Sequence, residues 1–139
     1  MAAYSPTPLY KKLGLKPGFL ITLYNPPSGY RELVIDVWDA LIVEEAVTKR
    51  KDFIHIFIIN YANIEELLCN YKLQIKDAGM IWVSWPKVSK TNKHRQIDEN
   101  GIRAIALKSG LVDIKVCSFN DEWSALKLVI PVKDRKQPV

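Results

Sequence analysis

Glycine is sparse in this chain and badly spaced for cofactor binding. The six glycines are Gly14, Gly18, Gly29, Gly79, Gly101 and Gly110, and no two are separated by a single residue. That spacing excludes a G-x-G-x-x-G turn, whose glycines let the backbone close on a pyrophosphate. A G-x-G-x-G loop is excluded too, and no Gly-Lys-Ser/Thr sequence exists to form a P-loop. Cysteine is equally scarce. Cys69 and Cys117 are too few for a disulfide framework, so free, buried thiols in a reducing cytoplasm are expected. The two histidines, His55 and His94, lie far apart and make no metal signature with the cysteines. No apolar run approaches the 18 residues of a membrane span, and the first residues, MAAYSPTPLYKK, lack a signal-peptide core. A soluble, cytoplasmic protein without a membrane partner is expected.

What is present favours a packed domain. Hydrophobic residues make up 48% of the 139 and charged residues 25%, enough for a core without staples. A single domain over residues 1–139 is expected, since no linker, repeat or low-complexity stretch interrupts the chain. The net charge of +5 is concentrated at residues 49–51, 87–95 and 133–136. A charge of this size more often serves solubility than recognition, although it leaves an anionic partner open.

Local patterns order the elements. TPLYKKLG predicts a short helix with Thr7 as N-cap, Pro8 as first helical residue and Gly14 as stop. The apolar run FLITLY predicts a central parallel strand over 19–25. GYRELVIDVW reads as a short helix and ALIVEEA as a second strand or frayed edge. A strand from Phe53 to Ile59 follows, then a helix with Ile64, Leu67, Leu68, Tyr71 and Ile75 on one stripe, stopped near Gly79. A buried strand from Met80 to Pro86, a polar loop and a helix ending at Gly110 come next. LVDIKVCSF and WSALKLVIP, split by Asn120, Asp121 and Glu122, read as an antiparallel hairpin. Together these elements predict an α/β Rossmann-like domain of three layers, with a mostly parallel sheet and a C-terminal antiparallel hairpin.

Three stretches are candidate sites. FLITLYNPPSGYREL has the outline of a nucleotide-binding turn, but Pro26 and Pro27 remove two amides that a phosphate cradle would use. A proline-rigidified turn is the blander reading of NPPSG. If 80–85 is a parallel strand, Ser84, Trp85 and Lys87 emerge at the ligand-binding edge. There Trp85 would stack on a flat ligand, while Lys87, Lys90, Lys93 and Arg95 supply charge. The alternative packs Trp82 and Trp85 beneath helices. In the hairpin, Asp113, Lys115 and Cys117 alternate along one face with Lys127 across, a short ion-pair ladder. A functional reading has Trp123 and Lys127 grip a ligand or partner protein.

Two resemblances bear on function. YSPTPLYKKLGLKPG, WVSWPK and GLVDIKVCSFNDEWSALKLV resemble a family of small bacterial proteins known only as a domain of unknown function. Its pattern is YSGTPL..KLGIK.G, then LWVSWPK, then GLVDVKVC...WSGLK. The match spans nearly the whole chain; Pro6 and Ala125 stand where that family tends to have glycine. This resemblance implies no activity. More distantly, KDFIHIF and DAGMIWVSWP, with the strand order, resemble class I S-adenosylmethionine-dependent methyltransferases in truncated form. That likeness implies a ligand at the carboxyl ends of the strands.

The resulting expectation is a methyltransferase-like domain acting as a binding or regulatory module. No catalytic residue, metal or cofactor is predicted, and S-adenosylmethionine stays an alternative that lacks its glycine loop. A rival reading is an atypical enzyme in which Asn25, Ser28, Tyr30, Arg31, Glu44, Ser84 and Lys87 converge on one pocket. A third is nucleic-acid binding through the basic stretch 87–95. The partner is an unknown protein or small molecule, and the oligomeric state is not legible.

Overall fold

The computed structural model describes residues 7–88 and 97–136. The basic residues Lys90, Lys93 and Arg95, along with Pro6 and His94, lie outside that range.

Helix α1 (Leu9–Leu13) opens the fold. Pro8, rather than Thr7, is its N-cap, because the extended Pro8 carbonyl accepts from the amides of Lys11 and Lys12. Strand β1 (Leu20–Tyr24) is followed by two short helices, α2 (Tyr30–Leu33) and α3 (Ile35–Trp38), which meet at a non-helical Val34. A two-residue strand, β2 (Ile42–Val43), forms one sheet edge. Residues 44–50 then return the chain to β3 (Lys51–Phe57) with no intervening helix.

Helix α4 (Ile64–Lys72) is shorter than its apolar stripe predicts. Ile75 and Gly79 belong instead to β4 (Ile75–Pro86), a strand of 12 residues. Both Gln74 and Ile75 satisfy extended pairing, since the Gln74 carbonyl accepts from Lys51 N and Ile75 pairs with Lys51. The tertiary ladder therefore overrides the helical period. Register advances two residues along β3, from Lys51 to Phe53, but five along β4, from Ile75 to Met80. Gly79 sits in this bulged segment, where a Cβ would lie 3.0 Å from the carbonyl oxygens of Lys51 and Lys76. Gly79→Ala is therefore expected to cost about 1–3 kcal/mol, read as a lowered urea midpoint with unchanged slope.

Helix α5 (Glu99–Lys108) starts at Asp98, whose carboxylate accepts from Gly101 N at 2.8 Å. Strands β5 (Val112–Ser118) and β6 (Trp123–Val129) close the sheet as a hairpin, with the Asn120 side chain accepting from Glu122 N and Trp123 N. The order is β2-β1-β3-β4-β6-β5. Strands β1 to β4 pair in parallel, while β6 runs antiparallel to β4 and β5. The α/β fold is thus mostly parallel with antiparallel C-terminal strands.

Each face of the sheet carries its own core. Ile54, Ile56, Ile81, Val83 and Trp85 pack with α4 and α5. Ile21, Phe53, Phe57 and Trp82 pack with α1, α2 and Phe119 on the other side. Lys51 is buried as well, its Nζ donating to Ala46 O at 2.7 Å and Gln74 Oε1 at 2.9 Å.

Cys69 is exposed on α4 rather than buried, and Cys117 is only half-buried, with its thiol pushed up mainly by burial. The hairpin does not carry the expected ion-pair ladder. A register shift between Asp113 and Lys115 breaks the alternation of faces. Asp113 pairs with Arg103 of α5 at 2.9 Å, whereas Lys115 reaches Lys12 O in α1 on the opposite face. Lys115 then stands across from Lys127, whose ammonium is pushed down by burial first and by Lys115 second.

Candidate functional site

The chain leaves β1 for β2 on one side and returns to β3 on the other. A crevice forms at this reversal of strand order, outside the carboxyl ends of β1 and β3, the place where open α/β sheets bind ligands. Its volume is about 350 Å³. Tyr24 and Asn25 come from the end of β1, Phe57 to Asn60 from the end of β3, Ala62, Asn63 and Leu67 from the start of α4, and Trp123 from β6. None of these residues carries a formal charge at neutral pH.

Backbone conformation singles out the same place. Asn25 (φ 52°) and Asn63 (φ 65°) are the two non-glycine residues with positive φ among the described residues, and both line the crevice. Asparagine tolerates the left-handed region best after glycine, yet each position stores some strain, and such strain gathers at ligand sites. Asn63 is the N-cap of α4 without making a side-chain cap bond. Among the described residues the Asn25 side chain has no hydrogen-bond partner either. Asn60 uses its Oδ1 on Ala62 N at 2.8 Å, leaving its amide N–H groups. Trp123 is fixed edge-on against Phe57, ring centroids 5.1 Å apart, and Tyr24 edge-on against Tyr71 at 6.4 Å.

The other predicted residues are dispersed. Tyr30 and Ser84 are brought together, but inside the core, through His55. The Tyr30 hydroxyl lies 2.9 Å from His55 Nδ1, and Ser84 Oγ lies 2.8 Å from Nε2. Phe53, Phe57, Trp82 and Phe119 surround the imidazole, which has no exposed surface. Desolvation pushes His55 down to about 3 and raises Tyr30, so both are neutral at physiological pH. The line of groups looks like a nucleophile and its base, but a substrate has no path to a fully buried Ser84. The sequence pattern makes His55 a residue of an apolar strand; the signal for its polar role is Ser84, a polar residue within the otherwise apolar β4 run, two positions along from the strand partner of His55.

Trp85 is a core residue, 3% exposed. Lys87 donates to Ser118 Oγ at 2.6 Å and Lys127 sits on the hairpin, both away from the crevice. Ser28 and Arg31 are exposed on the turn into α2 and at its start. Glu44, at the end of β2, folds its carboxylate back onto Ala46 N at 3.1 Å. Of the ten candidate residues, Asn25 and Trp123 line the crevice.

The turn after β1 is built without a phosphate cradle. Pro26 and Pro27 carry no N–H, Gly29 turns the chain at φ 89°, and the helix that follows has only four residues. A family model described as "Protein of unknown function (DUF3052)" matches residues 12–132. The chain belongs to the DUF3052 family. No curated protein matches the DUF3052 chain.

Solved structures share its fold. CalO1, a methyltransferase in calicheamicin biosynthesis in its SAH-bound form, is 11% identical with a TM-score of 0.64, covering 88% of this chain and 52% of CalO1. The DUF3052 chain thus spans about half of CalO1. A SAM-dependent methyltransferase from Aquifex aeolicus is 14% identical with a TM-score of 0.58, covering 88% of each chain. The glycopeptide N-methyltransferase MtfA complexed with sinefungin is 10% identical with a TM-score of 0.56, covering 88% of this chain and 90% of MtfA. The DUF3052 chain therefore has a methyltransferase-like Rossmann fold.

S-adenosylmethionine does not fit the residues that this chain places at the crevice. The ligand carries a sulfonium, an ammonium and a carboxylate, whereas the described residues of the lining include no charged side chain. The glycine turn is missing, and the carboxylate of Glu44 is engaged on its own backbone.

Proposed function

We propose that this protein is a non-catalytic binding module whose strand-end crevice takes a small, uncharged ligand with a flat ring. The observation that carries this reading is the lining itself. Aromatic walls from Tyr24 and Trp123 flank uncommitted amides on Asn25 and Asn63, and the described lining contains no acid or base. An amide both donates and accepts, so it matches the edge of a heterocycle or a carboxamide. A tryptophan face offers a surface on which such a ring can stack.

Calorimetry on the full chain provides the test. Adenosine and nicotinamide serve as uncharged ring probes, and S-adenosylmethionine and S-adenosylhomocysteine as the charged comparison. The uncharged probes are expected to bind, with affinity reduced at least tenfold in Asn63→Ala and Trp123→Ala. The charged pair is expected to show no heat at micromolar concentration. Micromolar binding of S-adenosylmethionine would overturn the reading in favour of a methyltransferase.

A further inference from the structure

We infer that the opposite end of the sheet holds a second site, for a ligand carrying two or more phosphate groups. The inference is independent of the crevice. Two basic clusters separated by more than eighty residues, one at 49–51 and the other at 133–136, meet at the amino ends of β3 and β4. Arg50 and Lys136 line a groove of about 400 Å³ together with Lys76 and Asp77. A neighbouring lobe of about 250 Å³ shares Arg50, Asp77 and Lys136 and adds Lys72 and Asp134.

Charge in the groove is left uncompensated. The lining residues are four cations and two acids, with the Lys72 ammonium packed against Gly110; among the described residues only Lys76 of the four has an acidic partner, Asp52 at 3.0 Å. Asp77 Oδ2 accepts from the backbone N of Lys136, which leaves that side chain's ammonium outside the bond. Arg50 donates from Nη1 to Ile75 O at 3.3 Å, a contact that orients the guanidinium without neutralising it. Among the described residues, neither Lys72 nor Lys136 forms an ion pair. Holding like charges around one concavity is unfavourable, and a multivalent anion would relieve it.

The shape of the chemistry narrows the ligand. Among the described residues no aromatic side chain lines either lobe, which gives a base or ring no platform there. Recognition would rest on the anion itself, with Arg50 able to take two phosphate oxygens and the lysines acting as point charges. Two joined lobes sharing Arg50 and Lys136 suit phosphates in series, either free or within a nucleic-acid backbone.

The test titrates inorganic tripolyphosphate into the full chain at low salt. Arg50→Gln/Lys136→Gln is the site variant, and Lys11→Gln/Lys16→Gln removes the same charge elsewhere. All four side chains lie at the surface, so both variants retain the fold; matching far-ultraviolet circular dichroism checks this. Binding is expected to weaken at least tenfold in the site variant and less than twofold in the control. A parallel titration with a 20-base-pair duplex identifies the source. Duplex binding that is lost in the same variant and displaced by tripolyphosphate assigns the phosphates to a backbone. Absence of tripolyphosphate binding at low salt, or equal weakening in both variants, would overturn the inference.

Discussion

Trp82→Ala is expected to destabilise the protein by about 3–5 kcal/mol. Trp82 is fully buried and is the largest such side chain in the core. Its indole Nε1 donates to the carbonyl of Leu13 at 2.9 Å, at the carboxyl end of α1. Truncation therefore opens a cavity and removes a buried donor together. Trp82→Phe separates the two effects, because most of the volume stays while the Leu13 carbonyl loses its partner; it should cost about 1–3 kcal/mol. Urea denaturation of both variants measures the difference. Equal losses for Phe and Ala would show that the hydrogen bond, rather than the cavity, dominates. A loss under about 1 kcal/mol for Trp82→Ala would mean that this side chain does not hold α1 to the sheet.

Acid should weaken the fold through His55. Its folded value of about 3 lies below the ordinary histidine value of 6.5, because burial among aromatic rings disfavours the imidazolium. Between those two values the unfolded chain binds a proton that the folded chain refuses. Stability therefore falls as pH drops below about 6.5 and continues to fall towards pH 3. The loss attributable to His55 is about 2 kcal/mol at pH 5. Urea midpoints at pH 7.5 and 5.0 check it, with His55→Gln expected to lose correspondingly less on acidification. Nuclear magnetic resonance of the His55 ring supplies an independent reading, with no titration expected above pH 4.5. Parallel acid losses in both proteins, or a ring that titrates near 6.5, would remove His55 as the cause.

The sheet was legible in the sequence wherever apolar runs were long and bounded by turn residues. The runs at 19–25, 53–59 and 80–86 are of this kind, and they overlap the parallel-paired strands β1, β3 and β4. The segment 75–79 was not legible, because Ile75 continues the apolar stripe of α4 while its backbone partner, Lys51, is distant in sequence. Periodicity cannot weigh a pairing that it does not contain. The bulge at Ile114 was hidden for the same reason: alternation assumes a regular ladder, and one extra residue sends Asp113 and Lys115 to opposite faces. At the crevice, the absence of a glycine loop could be read directly from spacing. The left-handed conformations of Asn25 and Asn63 could not, since Asn adopts them only where the surrounding turn requires it.

The bond from Trp82 to Leu13 also bears on the order of events during synthesis. Its partners are 69 residues apart, and the contact from Lys115 to Lys12 spans 103. At a translation rate of roughly 5–20 residues per second, α1 leaves the ribosome roughly 3–14 s before the indole that will anchor it. Helix α1 thus finds its place only after residues 82 and 115 have been made. In a nascent chain stalled before residue 82, α1 would still lack the tryptophan that anchors it.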